Sequence, residues 1–164
     1  MRIVLKKATK ILLIAAVILT LAFIFSQSAL PREESKKQSD KVGDIIEEIF
    51  PPETPVGGFV QKNIRKLAHF TEFAFLGAEV ALYIIIFARK KIVVDLSLLI
   101  APNIALLDET IQVFSNRGPA MRDVMIDTAG FYFASIIFYT VAAVIFLIRN
   151  KRKQKLTKHL VNNG

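Results

Sequence analysis

The chain has 164 residues, of which 53% are hydrophobic, and a formal net charge of +8. This hydrophobic fraction exceeds the ~45–50% of ordinary soluble domains, and the charged residues stand in blocks between long apolar runs. There is no cysteine, which excludes disulfides, thiolate nucleophiles and cysteine metal sites. Beside such apolar runs the positive charge indicates contact with anionic lipid, and no nucleic-acid partner is expected.

Four apolar runs reach the ~20 residues that a helix needs to cross the hydrocarbon core of a bilayer. They cover about residues 11–30, 67–88, 92–114 and 124–148, and Pro102 is expected to kink the third helix. Too few residues remain for a second globular domain. The sequence therefore predicts an all-α integral membrane protein, a four-transmembrane-helix bundle forming a single membrane domain over 1–164.

The first apolar run has two interpretations. A signal peptide would show the same pattern, since it too has basic residues followed by an apolar stretch, as residues 1–10 and 11–30 do. The residues that follow, Ser26 to Pro31, make a mediocre cleavage site, and the run is long enough to span the membrane. We therefore favour an uncleaved first helix.

The one substantial hydrophilic region is the loop 31–66. Its first part, Arg32–Lys41, is rich in charge and is expected to be solvated and mobile. Apolar residues then recur at helical spacing through 42–50, which predicts a short amphipathic helix that either lies on the membrane surface or caps the bundle. Prolines and glycines in 51–58 are expected to break the structure before the chain re-enters the membrane at 67.

The basic residues predict the orientation of the chain. Residues 1–10, 89–91 and 149–164 carry 13 of the 22 lysines and arginines and no acidic residue. Because positive loops stay in the cytoplasm, both termini and the tail 149–164 are predicted to be cytoplasmic. The loops 31–66 and 115–123 are then extracytoplasmic.

Ionisable residues within the apolar runs indicate a specific role, because a charge at the bilayer centre costs ~2.5–3.5 kcal/mol even on insertion scales. In the predicted topology the outer ends of the second, third and fourth helices carry such residues at one level. They predict one water-accessible pocket that opens outward. Asp95 is excluded, since it lies near the cytoplasmic end and is expected to pair with Lys90 or Lys91.

We predict that His69, Glu72 and Asp108 form the chemical centre of this pocket. The remaining predicted pocket residues are assigned to ligand binding: Arg65, Glu109, Gln112, Arg117, Arg122, Asp123 and Asp127. The alternative is structural, because residues at helix ends reach the interface and the arginines could simply pair with the acids.

Several chemistries are open for such a pocket. A purely binding role requires the fewest assumptions. Alternatively, histidine beside carboxyl groups suits general acid–base catalysis on a lipid-linked substrate. Nucleophilic catalysis would need Ser26 or Ser28 near His69. A proton-coupled transporter would use Glu79 as a deeper step, although four helices without an internal repeat make poor alternating-access machinery.

No cofactor and no metal are predicted from the sequence. His69 and Glu72, at i and i+3, imitate half of the motif of carboxylate-bridged di-metal bundles. Those sites use two histidines, whereas the second histidine of this chain lies in the basic tail.

The same residues carry a family resemblance. The segment RKLAHFTEFAFLG at 65–77 resembles the signature R-K-x-x-H-F-x-E-[FY]-x-x-L-G of VanZ-like proteins. DETIQVF at 108–114 and RDVMIDTAG at 122–130 are similar to the family's D-E-x-x-Q-x-F and D-V-x-x-N-x-x-G, and FSQS at 25–28 to its first-helix ending. The chain departs where Asp127 replaces the common Asn and where Arg117-Gly118 reverses the usual order.

This resemblance implies a bacterial cytoplasmic-membrane protein associated with glycopeptide resistance of the teicoplanin type. We expect it to act at the outer face on a cell-envelope or lipid-linked ligand. Its expected partners are membrane lipids and a cell-wall precursor or glycopeptide; the oligomeric state is left open. Both departures lie in the predicted pocket, so its ligand chemistry is expected to differ from that of other members.

Overall fold

Helices follow the apolar runs, and the computed structural model describes residues 2–88, 91–118 and 120–162 of the chain. Over these residues the chain is helical without any strand. The expected pairing of Asp95 with Lys90 or Lys91 involves side chains outside the described set. The helices are α1 Arg2–Ser28, α2 Arg32–Glu47, α3 Pro55–Tyr83 continued by a π-helical turn Ile84–Ala88, α4 Lys91–Phe114 and α5 Met121–Asn162.

Four helical stretches are long and apolar enough to cross a membrane: Leu5–Ser28, Pro55–Ala88, Leu96–Phe114 and Met121–Lys155. They confirm the predicted all-α architecture of four spanning helices, which fits a multi-pass membrane protein. Their outer surfaces expose large apolar side chains, as a surface in contact with lipid must. Pro102 lies inside α4, which continues on both sides of it.

The helix α3 begins twelve residues before the predicted span, so the expected break over 51–58 is wrong at its C-terminal end. Pro55 occupies the start of the helix, where its missing N–H costs nothing, and the Thr54 side chain accepts a hydrogen bond from the Gly57 N–H at 3.0 Å. A side chain at Gly57 would collide with the carbonyl oxygens of Phe50 and Pro51, so this glycine permits the tight approach of the preceding turn. The helix and its π turn are ~51 Å long, against a bilayer core of ~30 Å.

The helix α2 also begins earlier than its apolar pattern, at Arg32. The charge-rich segment Arg32–Lys41 is therefore helical, and most of its side chains are exposed. Glu33 and Glu34 lie in its first turn, where negative charge favours a helix N-terminus. Its C-terminal half rests on the start of α3, where Gln61 donates a hydrogen bond to Glu47. This contact favours the interpretation that α2 caps the bundle.

The closest helix pair is α3 and α5, and two glycines set its separation. A Cβ at Gly77 would collide with the Phe131 backbone, and one at Gly130 would collide with the Phe70 carbonyl oxygen. The Ser135 hydroxyl donates to the Gly77 carbonyl at 3.1 Å, which ties the two helices together. The buried apolar core beside this crossing consists of Ile24, Phe73, Leu76, Ala101, Ala105, Val124 and Phe131.

Candidate functional site

Three ionisable side chains from three helices meet at one end of the bundle. His69 of α3 places Nδ1 3.9 Å from Asp108 Oδ2 of α4 and 3.7 Å from Asp127 Oδ1 of α5. Both carboxyl groups are buried, with side chains 0% and 1% exposed. We call His69, Asp108 and Asp127 the central cluster.

Asp108 is the best connected member of the central cluster. The Ser28 hydroxyl at the end of α1 donates to its Oδ1 at 2.6 Å, and the Gln112 amide donates to its Oδ2 at 2.7 Å. Gln112 in turn accepts a hydrogen bond from the Arg65 guanidinium at 2.9 Å. A chain of hydrogen bonds therefore joins α1, α4 and α3 through one carboxyl group.

Asp127 lacks such support. Neither of its carboxyl oxygens has a hydrogen-bond partner, and the Nδ1 atom of His69 that faces it has none either. A buried carboxyl group without a partner is costly, so it calls for a proton, a cation or a ligand. The groups in the central cluster are close enough to hold a metal ion, since one donor atom from each lies within 4.8 Å of the others.

A cavity of about 380 Å³ reaches the central cluster from the side of α1 and α2. We call it the front cavity. Its polar wall is formed by Arg65, His69, Glu72 and Arg117, while Phe23 contributes to its apolar wall. This volume lies in the range of small-molecule sites, which run from about 300 to 1,000 Å³.

An apolar groove of about 410 Å³ continues from the front cavity. Phe23, Val42 and Ile64 line both spaces, and Leu67 and Phe75 extend the groove along α3. The polar space and the apolar groove therefore form one path that a molecule with a polar head and an apolar tail would fit.

On the opposite side of α3 lies a rear cavity of about 200 Å³. It is lined by His69 and Asp127 of the central cluster, by Asp123, and by Lys62, Arg65 and Lys66. His69 thus lines both cavities, so its imidazole is reachable from two directions.

Arg117 and Glu109 hold the loop between α4 and α5. The Arg117 side chain is 6% exposed and donates to the Leu30 carbonyl at 2.7 Å. Glu109 accepts a hydrogen bond from the Ala120 N–H at 2.5 Å, just before α5 begins. Burial lowers the pKa of Arg117, as does the nearby Arg65, yet a guanidinium remains charged at any physiological pH.

The structure thus brings most predicted pocket residues together, but they do not all lie at the same distance from His69. Asp127 lies as close to His69 as Asp108 does, whereas Glu72 lies on the wall of the front cavity with one buried oxygen unpaired. Asp123 lines the rear cavity, and Arg122 is exposed at the start of α5.

The alternative mechanisms would use Ser26 or Ser28 as a nucleophile and Glu79 as a step in a proton path, but the hydrogen bonds of these side chains go elsewhere. Ser28 donates its hydroxyl proton to Asp108, and Ser26 bonds to the Phe23 carbonyl of its own helix at 2.7 Å. Nucleophilic activation would instead need a hydroxyl aimed at the imidazole. Glu79 accepts a hydrogen bond from Thr20 at 3.0 Å.

Sequence reasoning missed the contribution of α2 to the front cavity, which comes from Ser35, Gln38, Ser39, Lys41 and Val42. Small hydroxyl residues recurring at i and i+4 on a charged helix were the available signal. It was too weak to use, because serine pairs at this spacing are common on solvated helix faces.

Comparison with known proteins gives one match. A family model described as VanZ/LLP1 matches residues 12–147, a range that contains the central cluster and the walls of both cavities. No curated protein and no solved structure matches the chain. The match covers most of the chain and agrees with the motifs at 65–77, 108–114 and 122–130, and on this ground the chain belongs to the VanZ/LLP1 family.

Proposed function

We propose that this protein binds a lipid-linked, anionic cell-envelope ligand at the outer face of a bacterial cytoplasmic membrane, and that it thereby confers glycopeptide resistance of the teicoplanin type. The observation that carries the proposal is the continuity of the front cavity with the apolar groove. One end of this path offers charged donors, and the other is lined by apolar side chains apart from Thr71 and Glu72. A lipid-linked cell-wall precursor has the same division.

Two buried or half-buried arginines supply the recognition of an anionic head group. Arg65 and Arg117 both line the front cavity, and each guanidinium has five N–H donors. Hydrogen bonds to Gln112 and Leu30 use only part of this capacity, and the Arg117 Nε atom is buried without a partner. Arginine pairs of this kind suit phosphate and carboxylate oxygens, to which they donate in a bidentate manner.

The apolar part of the ligand would lie in the groove between α2 and α3. Val42 and Ile46 of α2 face this groove together with Val60 and Ile64 of α3. Burying an alkyl chain there contributes ~0.8 kcal/mol per methylene relative to water. A ligand held in this way is withdrawn from other envelope-binding molecules, which connects binding to resistance.

Arg117→Gln and Arg65→Gln are expected to reduce the phosphate-bearing lipid that copurifies with the protein. The measurement is mass spectrometry of the lipid retained per chain after purification in mild detergent. The matched control is Lys37→Gln, which removes a basic side chain from the exposed face of α2 outside the described cavities. Equal retention by all four proteins would contradict the proposal.

The same variants connect binding to resistance. At equal expression, Arg65→Gln and Arg117→Gln should lower the teicoplanin resistance of a susceptible host to the level of an empty vector, and Lys37→Gln should not. Arg117→Lys tests whether charge alone is enough. Wild-type resistance in both glutamine variants would refute the link between the front cavity and resistance.

A second candidate function is acid–base catalysis on the bound ligand. The observation in its favour is the position of His69, whose imidazole faces two carboxyl groups and lines the front cavity. His69→Ala and Glu72→Gln separate the two functions. Lipid retained with resistance lost would favour catalysis, whereas loss of both would favour binding.

The orientation of the chain is a further prediction. A fluorescent protein fused after Lys153 should fluoresce, and alkaline phosphatase fused there should be inactive, because the predicted position is cytoplasmic. Alkaline phosphatase fused after Glu53 should be active. The reverse pattern would place the central cluster on the cytoplasmic side and would exclude an outward-facing site.

A further inference from the structure

We propose that the central cluster is a binding site for a divalent first-row transition cation, with Zn²⁺ as the best fit. His69 Nδ1, Asp108 Oδ2 and Asp127 Oδ1 are the ligands. This inference is independent of the lipid-binding proposal, because it rests on different atoms and needs no ligand in the front cavity.

The distances within the cluster are those of a site that closes around an ion. Zinc–nitrogen and zinc–oxygen bonds of ~2.0–2.2 Å at tetrahedral angles place two ligand atoms about 3.4 Å apart. The nitrogen of His69 lies 3.9 and 3.7 Å from the two carboxyl oxygens, too far for direct hydrogen bonds. Both distances exceed the spacing of ligands around a bound zinc ion by less than an ångström, and one donor atom of each group lies within 4.8 Å of the others, so a small inward movement of the side chains would complete the coordination.

The charge and burial of the cluster also favour a bound cation. Two carboxyl groups from different helices are buried beside a single imidazole, and both oxygens of Asp127 are unpartnered. A divalent ion neutralises both carboxylates and leaves the histidine neutral, the form that binds metal. Arg65 and Arg117 lie nearby, but their hydrogen bonds go to Gln112 and to the Leu30 carbonyl and leave both oxygens of Asp127 without a partner.

A surrounding set of hydrogen bonds orients the ligands. Ser28 and Gln112 donate to the two oxygens of Asp108, and each oxygen keeps a further lone pair for an ion. Such outer partners are typical of metal ligands, and their loss costs ~10–100-fold in affinity. The donor set of one imidazole and two carboxylates suits Zn²⁺ or Mn²⁺ better than Mg²⁺ or Ca²⁺.

The rear cavity provides a path by which an ion can reach the cluster, because His69 and Asp127 both line it. Three protein ligands also leave a fourth coordination position free for water or for an oxygen of a bound molecule. This arrangement is typical of exchangeable or catalytic metal sites, whereas purely structural sites have four protein ligands.

The experiment uses the full chain, purified in mild detergent with a tag that contains no histidine. All proteins carry His159→Gln, so that His69 is the one histidine left of the two in the chain. After treatment with a chelator, each protein is dialysed against ZnCl₂, MnCl₂ or MgCl₂. Bound metal is then measured by mass spectrometry, and thermal stability is measured with and without metal.

We expect about one equivalent of Zn²⁺ per chain, with a thermal midpoint that rises with zinc concentration. Asp127→Asn and His69→Gln should weaken zinc binding by more than about 100-fold, beyond the effect of losing an outer partner. Asp127→Asn is expected to fold, since the family pattern commonly has Asn there. The control is Glu79→Gln, a partly buried carboxyl group on α3 that bonds to Thr20 outside the cluster and should bind zinc as the parent does.

Two results would overturn the metal site. One is the absence of bound Zn²⁺ or Mn²⁺ on the parent protein at millimolar metal. The other is unchanged binding in both Asp127→Asn and His69→Gln, which would place the metal elsewhere. Lipid retention is measured on chelator-treated protein, so failure of either proposal is visible without the other.

Discussion

Asp108→Ala should be the most damaging single substitution in the central cluster. It removes the carboxyl group of α4 that accepts hydrogen bonds from both the Ser28 hydroxyl and the Gln112 amide. Leaving two buried donors unpaired costs about 2–6 kcal/mol in total. The measurement is the midpoint of thermal unfolding in detergent, together with resistance at equal expression.

Two milder variants separate the structural role of Asp108 from its role in the site. Ser28→Ala removes one donor and leaves Gln112 bonded, so it should cost only about 1 kcal/mol. Asp108→Asn keeps an acceptor for Ser28 but lacks the negative charge, so it should be more stable than Asp108→Ala and still lack zinc binding. An Asp108→Ala protein as stable as the wild type would show that this hydrogen-bond network does not hold the helix ends together.

Gly77→Ala and Gly130→Ala should each destabilise the bundle by about 1–3 kcal/mol, the usual cost of overpacking a tight contact. The added methyl group would meet the Phe131 backbone in the first case and the Phe70 carbonyl in the second, and neither backbone can move without separating α3 from α5. Since His69 and Asp127 lie on these two helices, both variants should also weaken metal binding.

Gly43→Ala is the matched control for the glycine substitutions. This glycine also lies in a helix, but a methyl group there would make an ordinary contact with the Ile64 side chain at 3.8 Å. Alanine is the better helix former by about 1 kcal/mol, so the expected effect has the opposite sign. Equal loss of stability at positions 43, 77 and 130 would show that close approach of α3 and α5 is not the cause.

The glycines also show how a family motif combines two kinds of residue. Gly77 closes the segment 65–77 and Gly130 closes the segment 122–130, and both serve the packing of α3 against α5. His69 and Asp127, within the same two segments, face the cluster. A motif match therefore identifies the two helices and their polar residues together. It does not distinguish the residues that pack the helices from those that form the cluster.

The four spanning helices were predictable from the sequence because apolar length is a local property that a bilayer requires of each helix separately. Helix ends in the aqueous region were not, as the early starts of α2 and α3 show. There the Thr54 cap and the packing of α2 on α3 decide the outcome, and the second of these depends on residues far apart along the chain.

The candidate site was predictable to a similar degree. The level of His69, Glu72, Asp108 and Asp127 followed from their distance to the ends of the predicted apolar spans, since each helix rises by ~1.5 Å per residue. Their rotation about the helix axes did not, because it depends on which face each helix turns to its neighbours. The sequence therefore grouped Glu72 with His69 and Asp108, whereas the structure places Asp127 beside them.

Composition and charge by themselves determined that this chain is a membrane bundle with polar residues near one end of three helices. Those properties belong to each helix separately. They can be predicted without knowledge of contacts between helices, because burying a charge in lipid is costly. Only the tertiary structure decided that three of these residues converge, that Asp127 is left without a partner, and that an apolar groove runs from the front cavity. Convergence depends on distances between helices, which the close approach of α3 and α5 at two glycines sets.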